Sequence, residues 1–453
     1  MNIENGRQKV APGLSGIALF KAMPQFRRNT LQAFSDLTHR FGHVVRFKGL
    51  WTSFMLTHPS DIEHVLQSNA QNYTKGRSYR VLKSSTGNGL FVSEGDFWRR
   101  QRRLAQPAFH RGLIAGFAQT MSDAATEMVE AWAARAARNE SVELTAELRR
   151  LTLRIVGQTL FSTDLSEETA AISRMLSVGQ EHAIRRMFNV VNLPESFPTS
   201  SNRRYHKALS EGDRVIYSMI DERRRGEKSE TNDLLAMLMR ARDEETGEGM
   251  SDKQLRDEAF TIMVAGHETT VVALAWAFYL LSQHADVERK LLAELAAALD
   301  GRAPTYEDLP KLKYTSMIIQ ETLRLYPPAW ALGRTTISDD EIGSYHIPAK
   351  AEIMLFPYIT HRHPDFWDEP DEFDPERFAP ERAESRSRYA YFPFGGGPRQ
   401  CIGNNFALMK AQLILATVTQ KFRLRPVPGQ VIEPDASVTL RPRGGIRMNL
   451  QAA

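Results

Sequence analysis

The segment Phe394-Gly-Gly-Gly-Pro-Arg-Gln-Cys401-Ile-Gly403 contains the only cysteine of this 453-residue chain. A single cysteine cannot form an internal disulfide or a cysteine-rich zinc or iron–sulfur site, but it can supply one thiolate ligand. Three glycines let backbone N–H groups approach the sulfur closely, and the charge of Arg399 favours the thiolate. The alternative is a small buried residue in a glycine-rich turn. The flanking Phe, Arg and Gly residues favour the ligand.

Five residues of this segment resemble the haem-binding motif of the cytochrome P-450 family: Phe394, Gly397, Arg399, Cys401 and Gly403. In that family the cysteine is the thiolate ligand of the haem iron and promotes O–O cleavage. The resemblance implies that Cys401 binds the iron of haem b, iron protoporphyrin IX. It also implies that Phe394 packs beside the haem, that Arg399 faces a propionate, and that Gly403 belongs to the cofactor-binding positions.

A second motif, Ala-Gly-His-Glu-Thr-Thr at residues 265–270, interrupts an otherwise apolar segment at residues 260–281. Glycine and paired threonines are unfavourable inside a helix. Threonine hydroxyls can bond the carbonyl one turn back, so we expect a bend or bulge here. The alternative is a kink that serves packing alone. The motif resembles the oxygen-activating helix of the family. This implies that Glu268 and Thr269 are the acid and alcohol that relay protons, and that Ala265 contacts the haem.

Glu321 and Arg324 are three residues apart and share one face of a predicted helix. Such pairs are common on solvated surfaces, but Tyr326-Pro-Pro ends this helix at once. The resemblance to the family adds Arg377, in Asp-Pro-Glu-Arg-Phe at residues 374–378, as a third partner. A carboxylate–guanidinium network of this kind is structural, and we expect it to hold the segment before Cys401 beside the haem.

Trp98 and Arg102 are four residues apart, on one face of a predicted helix. An indole N–H and a guanidinium suit haem propionates, and the alternative is an amphipathic surface helix. The resemblance assigns both residues, with Arg334, to propionate binding. We expect the arginines at 99, 100 and 103 to face solvent. A solvated charge run is favoured there over a docking patch for an acidic redox partner.

Composition places the chain among ordinary globular proteins, with 42% hydrophobic and 25% charged residues. The net charge is +4, and the basic residues are interspersed with acids, so we expect no nucleic-acid partner. Residues 1–25 are predicted to be an extension without a membrane anchor. A charge at mid-membrane is costly, so residues 260–281 are predicted to form a buried central helix rather than a membrane span. We expect a cytoplasmic protein.

Periodicity predicts a helix at 26–41, strands at 44–47 and 53–56, a short helix after Pro59, and mainly helices from Gly95 to Leu299. Breaks are expected at 192–202 and 243–251. Further predictions are a helix at 311–325, a strand at 352–355, a helix at 403–421 and short strands at 438–440 and 446–450. This mainly α pattern with small β-sheets (α+β) matches the fold of the family. The resemblance implies one domain at 26–453, a triangular helical domain with haem between the long central helix and the helix after Cys401.

The substrate pocket is predicted from position in the family, and every candidate is apolar, as a desolvated hydrophobic ligand requires. Ordinary core packing is the alternative for each residue. The pocket candidates are Leu82, Leu90, Phe188, Val191, Val264, Ala265, Trp330, Ala331, Leu332, Val438 and Leu440.

The resemblance implies a haem-thiolate monooxygenase that inserts one atom of O₂ into a hydrophobic small molecule, by hydroxylation or epoxidation of a fatty acid, terpenoid or polyketide. Electrons would come from a separate ferredoxin or flavodoxin with its NAD(P)H reductase. Two alternatives stay open: a peroxide-using or rearranging member of the same fold, and a non-enzymatic haem sensor or electron carrier. The Glu268–Thr269 pair favours the monooxygenase, because the alternatives can dispense with proton relay to dioxygen.

Overall fold

Helices account for most of the chain because the sequence after Gly95 is rich in Ala, Leu, Glu and Arg, which favour helix. The structure is a computed structural model that describes residues 9–163, 169–188, 192–226 and 233–453. The predicted fold class, mainly helical with small β-sheets, is confirmed. The helices are α1 Gly16–Arg28, α2 Thr30–Phe41, α3 Pro59–Glu63, α4 Arg77–Thr86, α5 Gly95–Ala105, α6 Arg111–Ala115, α7 Ala118–Ala137, α8 Leu144–Phe161, α9 Thr169–Phe188, α10 Ser200–Arg224, α11 Leu234–Arg240, α12 Asp252–Gln283, α13 Ala285–Leu299, α14 Lys313–Leu325, α15 Pro357–Thr360, α16 Pro380–Ala383 and α17 Asn404–Thr419.

Short strands form four small sheets among the described residues. The strands are β1 Gly13–Ser15, β2 Val44–Lys48, β3 Thr52–Leu56, β4 Tyr73–Lys75, β5 Val142–Glu143, β6 Leu332–Thr336, β7 Asp340–Ile342, β8 Tyr345–Ile347, β9 Glu352–Leu355, β10 Phe422–Pro426, β11 Pro434–Ala436, β12 Leu440–Pro442 and β13 Arg447–Ala452. Their orders are β1-β2-β3-β9-β6-β4, β10-β13-β5, β11-β12 and β7-β8.

Most sequence-predicted elements are found within one or two residues of their expected bounds, and the strand at 352–355 matches fully. The segment 26–41 was predicted to be one helix, but it contains the end of α1 and the whole of α2, which meet at Asn29. The Asn29 side chain accepts a hydrogen bond from the Gln32 N–H (3.2 Å) and so caps α2. Strands β1, β4, β5, β6, β7, β8, β10 and β11 were not predicted, since most of them have only two or three residues and carry little periodicity.

The chain divides into two compact units, each assembled from several chain segments. One comprises Met1–Arg80, Arg324–Glu372 and Pro380–Cys401, and the other comprises Val81–Leu323, Phe373–Ala379 and Ile402–Ala453. The single domain expected at 26–453 stays a prediction.

In the first unit, alternate residues of the six-stranded sheet supply two apolar clusters. Val44 and Phe54 pack with Leu66, Tyr389 and Phe392, which lie just before or beside the cysteine loop in this unit. The alternating residues on the opposite side, among them Val45, Phe47 and Met55, pack against residues of α1 and α2. Period-two alternation therefore buries both faces of the sheet, and the first cluster anchors the chain that leads to Cys401.

In the second unit, α12 is the long central helix. It begins with a capping box, in which Ser251 and Gln254 bond each other's backbone N–H groups. Its length and apolar composition would allow a membrane span, but 67% of its apolar window is buried inside the protein. The Trp276 indole N–H donates to the Leu440 carbonyl (2.8 Å) and joins α12 to β12. The prediction of a buried central helix is therefore confirmed.

Arg324 is a buried cation in the first unit that binds backbone carbonyls. Its guanidinium donates to the carbonyls of His361 (2.8 Å), Pro370 (2.5 Å) and Glu372 (2.9 Å). It also lies 5.0 Å from the Trp367 ring. This one side chain thereby satisfies buried acceptors along residues 361–372, where regular secondary structure supplies few donors.

Glu321 makes a related set of contacts in the second unit. Its Oε1 accepts the Asp374 backbone N–H (3.0 Å) and lies 3.4 Å from Arg377 Nε. Glu321 and Arg377 are both buried. These contacts bring Glu321 and Arg377 together, as the sequence suggested, and the wider role of the network beside a haem stays a prediction.

Replacing Arg324 with alanine would leave three buried carbonyls without a charged donor. We expect Arg324→Ala to lower the free energy of unfolding by about 3–5 kcal/mol and to reduce haem loading, measured by thermal unfolding and by the haem-to-protein ratio. Arg386→Ala is the matched control, because Arg386 also lies over Trp367 (4.2 Å). The control should cost less than about 1 kcal/mol. Equal costs for the two variants would contradict the role of the carbonyl contacts.

Candidate functional site

The loop before Cys401 is a tight turn with two glycines in left-handed backbone conformations. Gly395 has φ +69° and Gly397 has φ +62°, values that L-residues with side chains rarely adopt. The Cys401 N–H donates to the Phe394 carbonyl (3.0 Å). This bond closes the loop and fixes the backbone at the cysteine.

Close packing explains why this loop is rich in glycine. A Cβ atom on Gly397 would lie 1.8 Å from the Leu66 carbonyl oxygen, and one on Gly396 would lie 2.4 Å from the Tyr389 ring. The Tyr389 hydroxyl donates to Gln67 Oε1 (2.8 Å) and so holds that ring in place. Side chains are therefore excluded at both glycines, and the loop has little freedom to move the cysteine.

Cys401 is exposed and lies three residues before the start of the 16-residue helix α17. An exposed thiol on a fixed loop can act as a single soft ligand for a metal. The donor chemistry therefore fits the thiolate ligand of haem iron.

Residues 265–270 form one turn of α12 in which side chains bond backbone carbonyls. The Thr269 hydroxyl donates to the Ala265 carbonyl (2.7 Å), and the Thr270 hydroxyl donates to the Gly266 carbonyl (3.4 Å). Ala265 is exposed although most of this helix is buried, so the turn presents an open face beside Thr269. The expected bulge is not found, since α12 is α-helical without interruption over Asp252–Gln283, and the alternative of a bend stays a prediction. Threonine satisfies its hydroxyl within the helix, and no bulge is needed.

Glu268 has a mostly buried carboxylate, and one of its two oxygens lacks a hydrogen-bond partner among the described residues. Its Oε2 lies 3.6 Å from Arg149 Nε of α8 and 4.0 Å from His267 Nδ1. Its Oε1 is buried and has no hydrogen-bond partner among the described residues. An orphaned carboxylate oxygen in a protein interior is a marker of a functional site or an ordered water.

His267 is neutral and its tautomer follows from its contacts. Burial, with a smaller effect from the charges of Arg149 and Lys410, lowers the pKa of His267 to about 3. Its Nε2 lies 3.1 Å from the Arg149 carbonyl, which can only accept, so Nε2 carries the proton. Nδ1 then presents a lone pair toward Glu268, and two acceptors face each other across 4.0 Å. A water molecule or a transferred proton would satisfy both.

Trp98 and Arg102 line the same cavity of about 860 Å³ in the second unit. Its lining residues are Trp98, Arg99, Arg102, Arg103, Gln106, Pro107, His110, Leu113 and Glu244. An indole, several guanidinium groups and an imidazole around a cavity suit a ligand that carries carboxylates. The predicted propionate contacts of Trp98 and Arg102 are chemically consistent with this setting.

Of the other arginines of α5, Arg99 and Arg103 are exposed, as predicted, and Arg100 differs from the solvent-facing prediction. Arg100 is half-buried and donates to the carbonyls of Glu248 (3.1 Å) and Gly249 (3.2 Å). Arg103 pairs with Asp243 (2.5 Å). The acidic 243–248 loop neutralises these charges, and this correction could not be made from the helical angle of α5 alone.

Arg334 lies on β6 in the first unit and is buried. Its guanidinium donates to the Gly333 carbonyl (2.8 Å). Within the described part of the chain this single bond leaves further N–H donors of a buried cation to be satisfied, which fits an anionic ligand. Arg399, half-buried in the cysteine loop, is the other predicted propionate contact of this unit.

Six predicted pocket residues have side chains that are only partly buried: Leu82, Val264, Trp330, Ala331, Leu332 and Val438. Leu332 lies beside the cysteine loop, since its Cδ1 is 3.8 Å from the position of a Cβ on Gly395. Val264 precedes the exposed Ala265 on α12. These positions remain available to contact a ligand.

Three pocket candidates also have contacts or burial typical of core residues, and their place in a pocket stays a prediction. Trp330 and Ala331 pack against the apolar cluster of the first unit, with the Trp330 ring 5.9 Å from Phe356. Leu440 is fully buried on β12. Core packing is the alternative for all three, and the sequence alone cannot distinguish such residues from a pocket lining. Val191 and the side chain of Phe188 lie outside the described residues.

Carboxylates at the start of α12 hold the segment that contains Leu90, which is buried. Asp257 Oδ2 accepts the Asn88 N–H (2.9 Å), and Glu258 Oε2 accepts the Leu90 N–H (3.0 Å). Burial raises the pKa of Glu258 to about 7, against the lowering effect of the Leu90 N–H. The position of this pocket segment is thus set by α12 itself.

Sequence analysis missed three residues of these sites: Arg149, His110 and Lys410. Arg149 reaches Glu268 from α8, a contact that no local pattern predicts. Lys410 is a single cation in the largely apolar helix α17, and that isolation was a usable signal. His110 lines the cavity directly after the α5 motif and could have been flagged by its position.

Comparisons with known proteins agree with this geometry. The sequence model of a family described as Cytochrome P450 matches residues 11–448. The chain is 38% identical to cyclooctatin synthase of Streptomyces melanosporofaciens over 98% of this chain and 95% of that protein. It is 37% identical to cyclooctat-9-en-7-ol 5-monooxygenase of the same species over 84% and 82%. It is 34% identical to pentalenene oxygenase of Streptomyces avermitilis over 94% of each chain.

Adding a methyl group at Gly397 tests the cysteine loop. Gly397→Ala would combine positive φ with a collision against the Leu66 carbonyl, and we expect it to cost roughly 2–5 kcal/mol and most of the haem content. Gly429→Ala is the control, because Gly429 has φ +79° and no atom within 4 Å of a Cβ. Thermal unfolding and the haem-to-protein ratio are measured for both. Normal haem content in Gly397→Ala would show that the loop is not constrained as described.

Proposed function

The chain belongs to the cytochrome P450 family, and from that premise we propose that it oxygenates a terpenoid, by hydroxylation or epoxidation. The family members are oxidoreductases that use haem, O₂, a hydrophobic substrate and electrons from a redox partner. The terpenoid, the redox partner and the roles of individual residues are parts of the proposal.

One observation carries the choice of a terpenoid. Three relatives at 34–38% identity, each aligned over most of its length, are named for the synthesis of cyclooctatin or for the oxygenation of cyclooctat-9-en-7-ol or pentalenene. The apolar side chains of Leu82, Val264, Leu332 and Val438 support a hydrocarbon-like substrate. The carboxylate of a fatty acid would be bound by a cationic side chain, and none of these four positions carries a cationic side chain.

Cys401 is proposed to hold the haem iron through its thiolate. The glycine-rich loop fixes the backbone at the cysteine. Trp98, Arg102, Arg334 and Arg399 are proposed to bind the propionates, with Phe394, Ala265 and Gly403 in contact with the ring. When bound, haem supplies the iron at which dioxygen is activated.

Glu268 and Thr269 are proposed to move protons to the site of oxygen activation. The Thr269 hydroxyl donates to the Ala265 carbonyl, so its oxygen lone pairs stay available to accept a hydrogen bond at the open face of α12. Glu268 Oε1 lacks a partner and can take up a proton or hold a water. Arg149, 38% exposed, connects the carboxylate to solvent. A metered proton supply of this kind is what general acid–base catalysis requires.

The proposed electron donor is a ferredoxin or flavodoxin with its NAD(P)H reductase, in the cytoplasm. The chain carries a net charge of +4, and electrostatic attraction to an acidic partner speeds association. Arg100 and Arg103 of α5 are already paired with the 243–248 loop, so the docking cations are expected elsewhere on the surface.

A titration of the ferric holoenzyme tests the substrate class. Substrate binding next to the iron shifts the Soret band to shorter wavelength. We expect a saturable shift with cyclic terpene hydrocarbons and alcohols, because the candidate pocket residues are apolar and uncharged. Saturated fatty acids of graded length are the comparison. Saturable shifts with fatty acids and none with terpenoids would contradict the proposal.

Thr269→Ala tests the proton relay. Loss of the hydroxyl should leave haem content unchanged and lower the ratio of product formed to NAD(P)H consumed by about tenfold or more, with peroxide formed instead. Thr159→Ala is the matched control, since Thr159 is a buried helix threonine with the same type of bond, to the Ile155 carbonyl (2.6 Å). The ratio is measured with a surrogate ferredoxin and reductase. An unchanged ratio in Thr269→Ala would exclude this role.

A further inference from the structure

Lys410 is a lysine with no exposed surface, 0% by fractional exposure. It lies in the middle of α17, and its Nζ donates to the Gly266 carbonyl of α12 (2.5 Å). The Phe406 ring centroid, one turn earlier on α17, is 5.2 Å from Nζ. Lysine is almost never fully buried unless it is paired, and no ion pair of the described residues includes Lys410. The contacts of this buried ammonium group are thus one backbone carbonyl and one aromatic ring.

The bond falls on the turn that carries the proposed proton relay. Gly266 precedes His267, Glu268 and Thr269, and its carbonyl already serves as a helix acceptor one turn below Thr270. A donor from α17 therefore polarises and fixes this carbonyl from outside α12. Since α17 starts three residues after Cys401, Lys410 connects the helix of the cysteine loop to the turn of Glu268 and Thr269.

Stability alone does not explain a lysine at this position. The Gly266 carbonyl keeps its place in the helix without Lys410, so removal of the side chain leaves no orphaned acceptor. Burying an ammonium without a carboxylate is costly, and an unbranched apolar side chain of similar length would pack at lower cost. The presence of lysine is therefore better explained by the hydrogen bond from its amine to the α12 turn than by a contribution to the stability of the core.

We propose that Lys410 is a positioning residue for oxygen activation, whose Nζ–H bond to the Gly266 carbonyl holds the α12 turn so that Glu268 and Thr269 keep their working geometry. This inference rests on the proposed function of those two residues. Lys410 touches neither substrate nor cofactor in this account and acts through the backbone of α12.

The charge of Lys410 belongs to a small set of ionisable groups. From α12 these are His267 and Glu268, and from α8 Arg149, whose Nε lies 3.6 Å from Glu268. Burial lowers the pKa of Lys410 to about 7. The charge of Lys410 in turn helps to lower the pKa of His267. The hydrogen bond to Gly266 survives deprotonation, because a neutral amine still donates, but it is weaker without the charge.

Lys410→Met is the test, because methionine keeps the length and removes the donor. In the haem-loaded enzyme we expect the ratio of product to NAD(P)H consumed to fall by about tenfold, since small displacements in an active site are costly. We expect KM for the substrate to be unchanged. Lys421→Met is the matched control, since Lys421 follows the same helix and is exposed. If Lys410→Met fails to load haem, Lys410→Gln replaces it in the test. Glutamine keeps a neutral donor, so we expect its ratio of product to NAD(P)H consumed to be lower than in wild type but not abolished.

Thermal unfolding separates positioning from a structural role. The buried ammonium has a native pKa of about 7 against an unfolded value of 10.5, so between these pH values the unfolded state binds more protons and wild-type stability rises with pH. We expect Lys410→Met to melt at or above the wild-type temperature at pH 7, and this advantage to shrink toward pH 10. A structural lysine would give a lower melting temperature together with the loss of coupling.

The outcomes distinguish this inference from the proposed function. Lower coupling in Lys410→Met with undiminished Tm supports the positioning role. Wild-type coupling in Lys410→Met at every pH from 6 to 9, while Thr269→Ala is uncoupled, overturns the inference and leaves the proposed function intact. Wild-type coupling in Thr269→Ala overturns the proposed function, and with it the purpose assigned to Lys410.

Discussion

The collision that any side chain at Gly397 would make with the Leu66 carbonyl is the constraint on which the proposed chemistry depends. A Cβ would lie 1.8 Å from that oxygen, so the chain can pass only as glycine with positive φ. The turn then returns the Cys401 N–H to the Phe394 carbonyl. Leu66, Tyr389 and Phe392 belong to one apolar cluster of the sheet, and the sheet thereby determines where the only thiol of the protein is presented.

Helix α12 combines two demands that oppose each other. Its buried residues hold the second unit together, and a helix devoted to that purpose would be apolar all round. Residues 265–270 instead contain a glycine, an orphaned carboxylate oxygen on Glu268 and a carbonyl bound by the buried Lys410. Each of these features costs stability. Proteins retain such costs where function requires them, and their concentration in one turn supports the proposal that this turn is the reactive face of the helix.

Local patterns were sufficient for the fold class, for the central helix and for the strand at 352–355, because periodicity and turn residues are properties of neighbouring positions. The motif around Cys401 was equally visible, since its glycines and arginine are adjacent in sequence. Contacts between distant segments were not predictable. Arg149 reaches Glu268 from α8, Lys410 reaches Gly266 from α17, and Arg100 turns inward because the 243–248 loop offers carbonyls. Apolar pocket candidates such as Trp330 and Leu440 stay predictions for a related reason, since the lining of a pocket and a packed core have the same composition.

The ferrous carbon monoxide spectrum of wild type and Cys401→His most directly tests whether this thiolate carries the chemistry. A thiolate ligand donates electron density to the iron, and it gives the carbon monoxide complex a Soret band at markedly longer wavelength than a histidine ligand does. The account predicts the long-wavelength band in wild type and its replacement by a shorter-wavelength band in the haem-loaded variant. The same band in both proteins would show that Cys401 is not the ligand and would contradict the assignment at its centre.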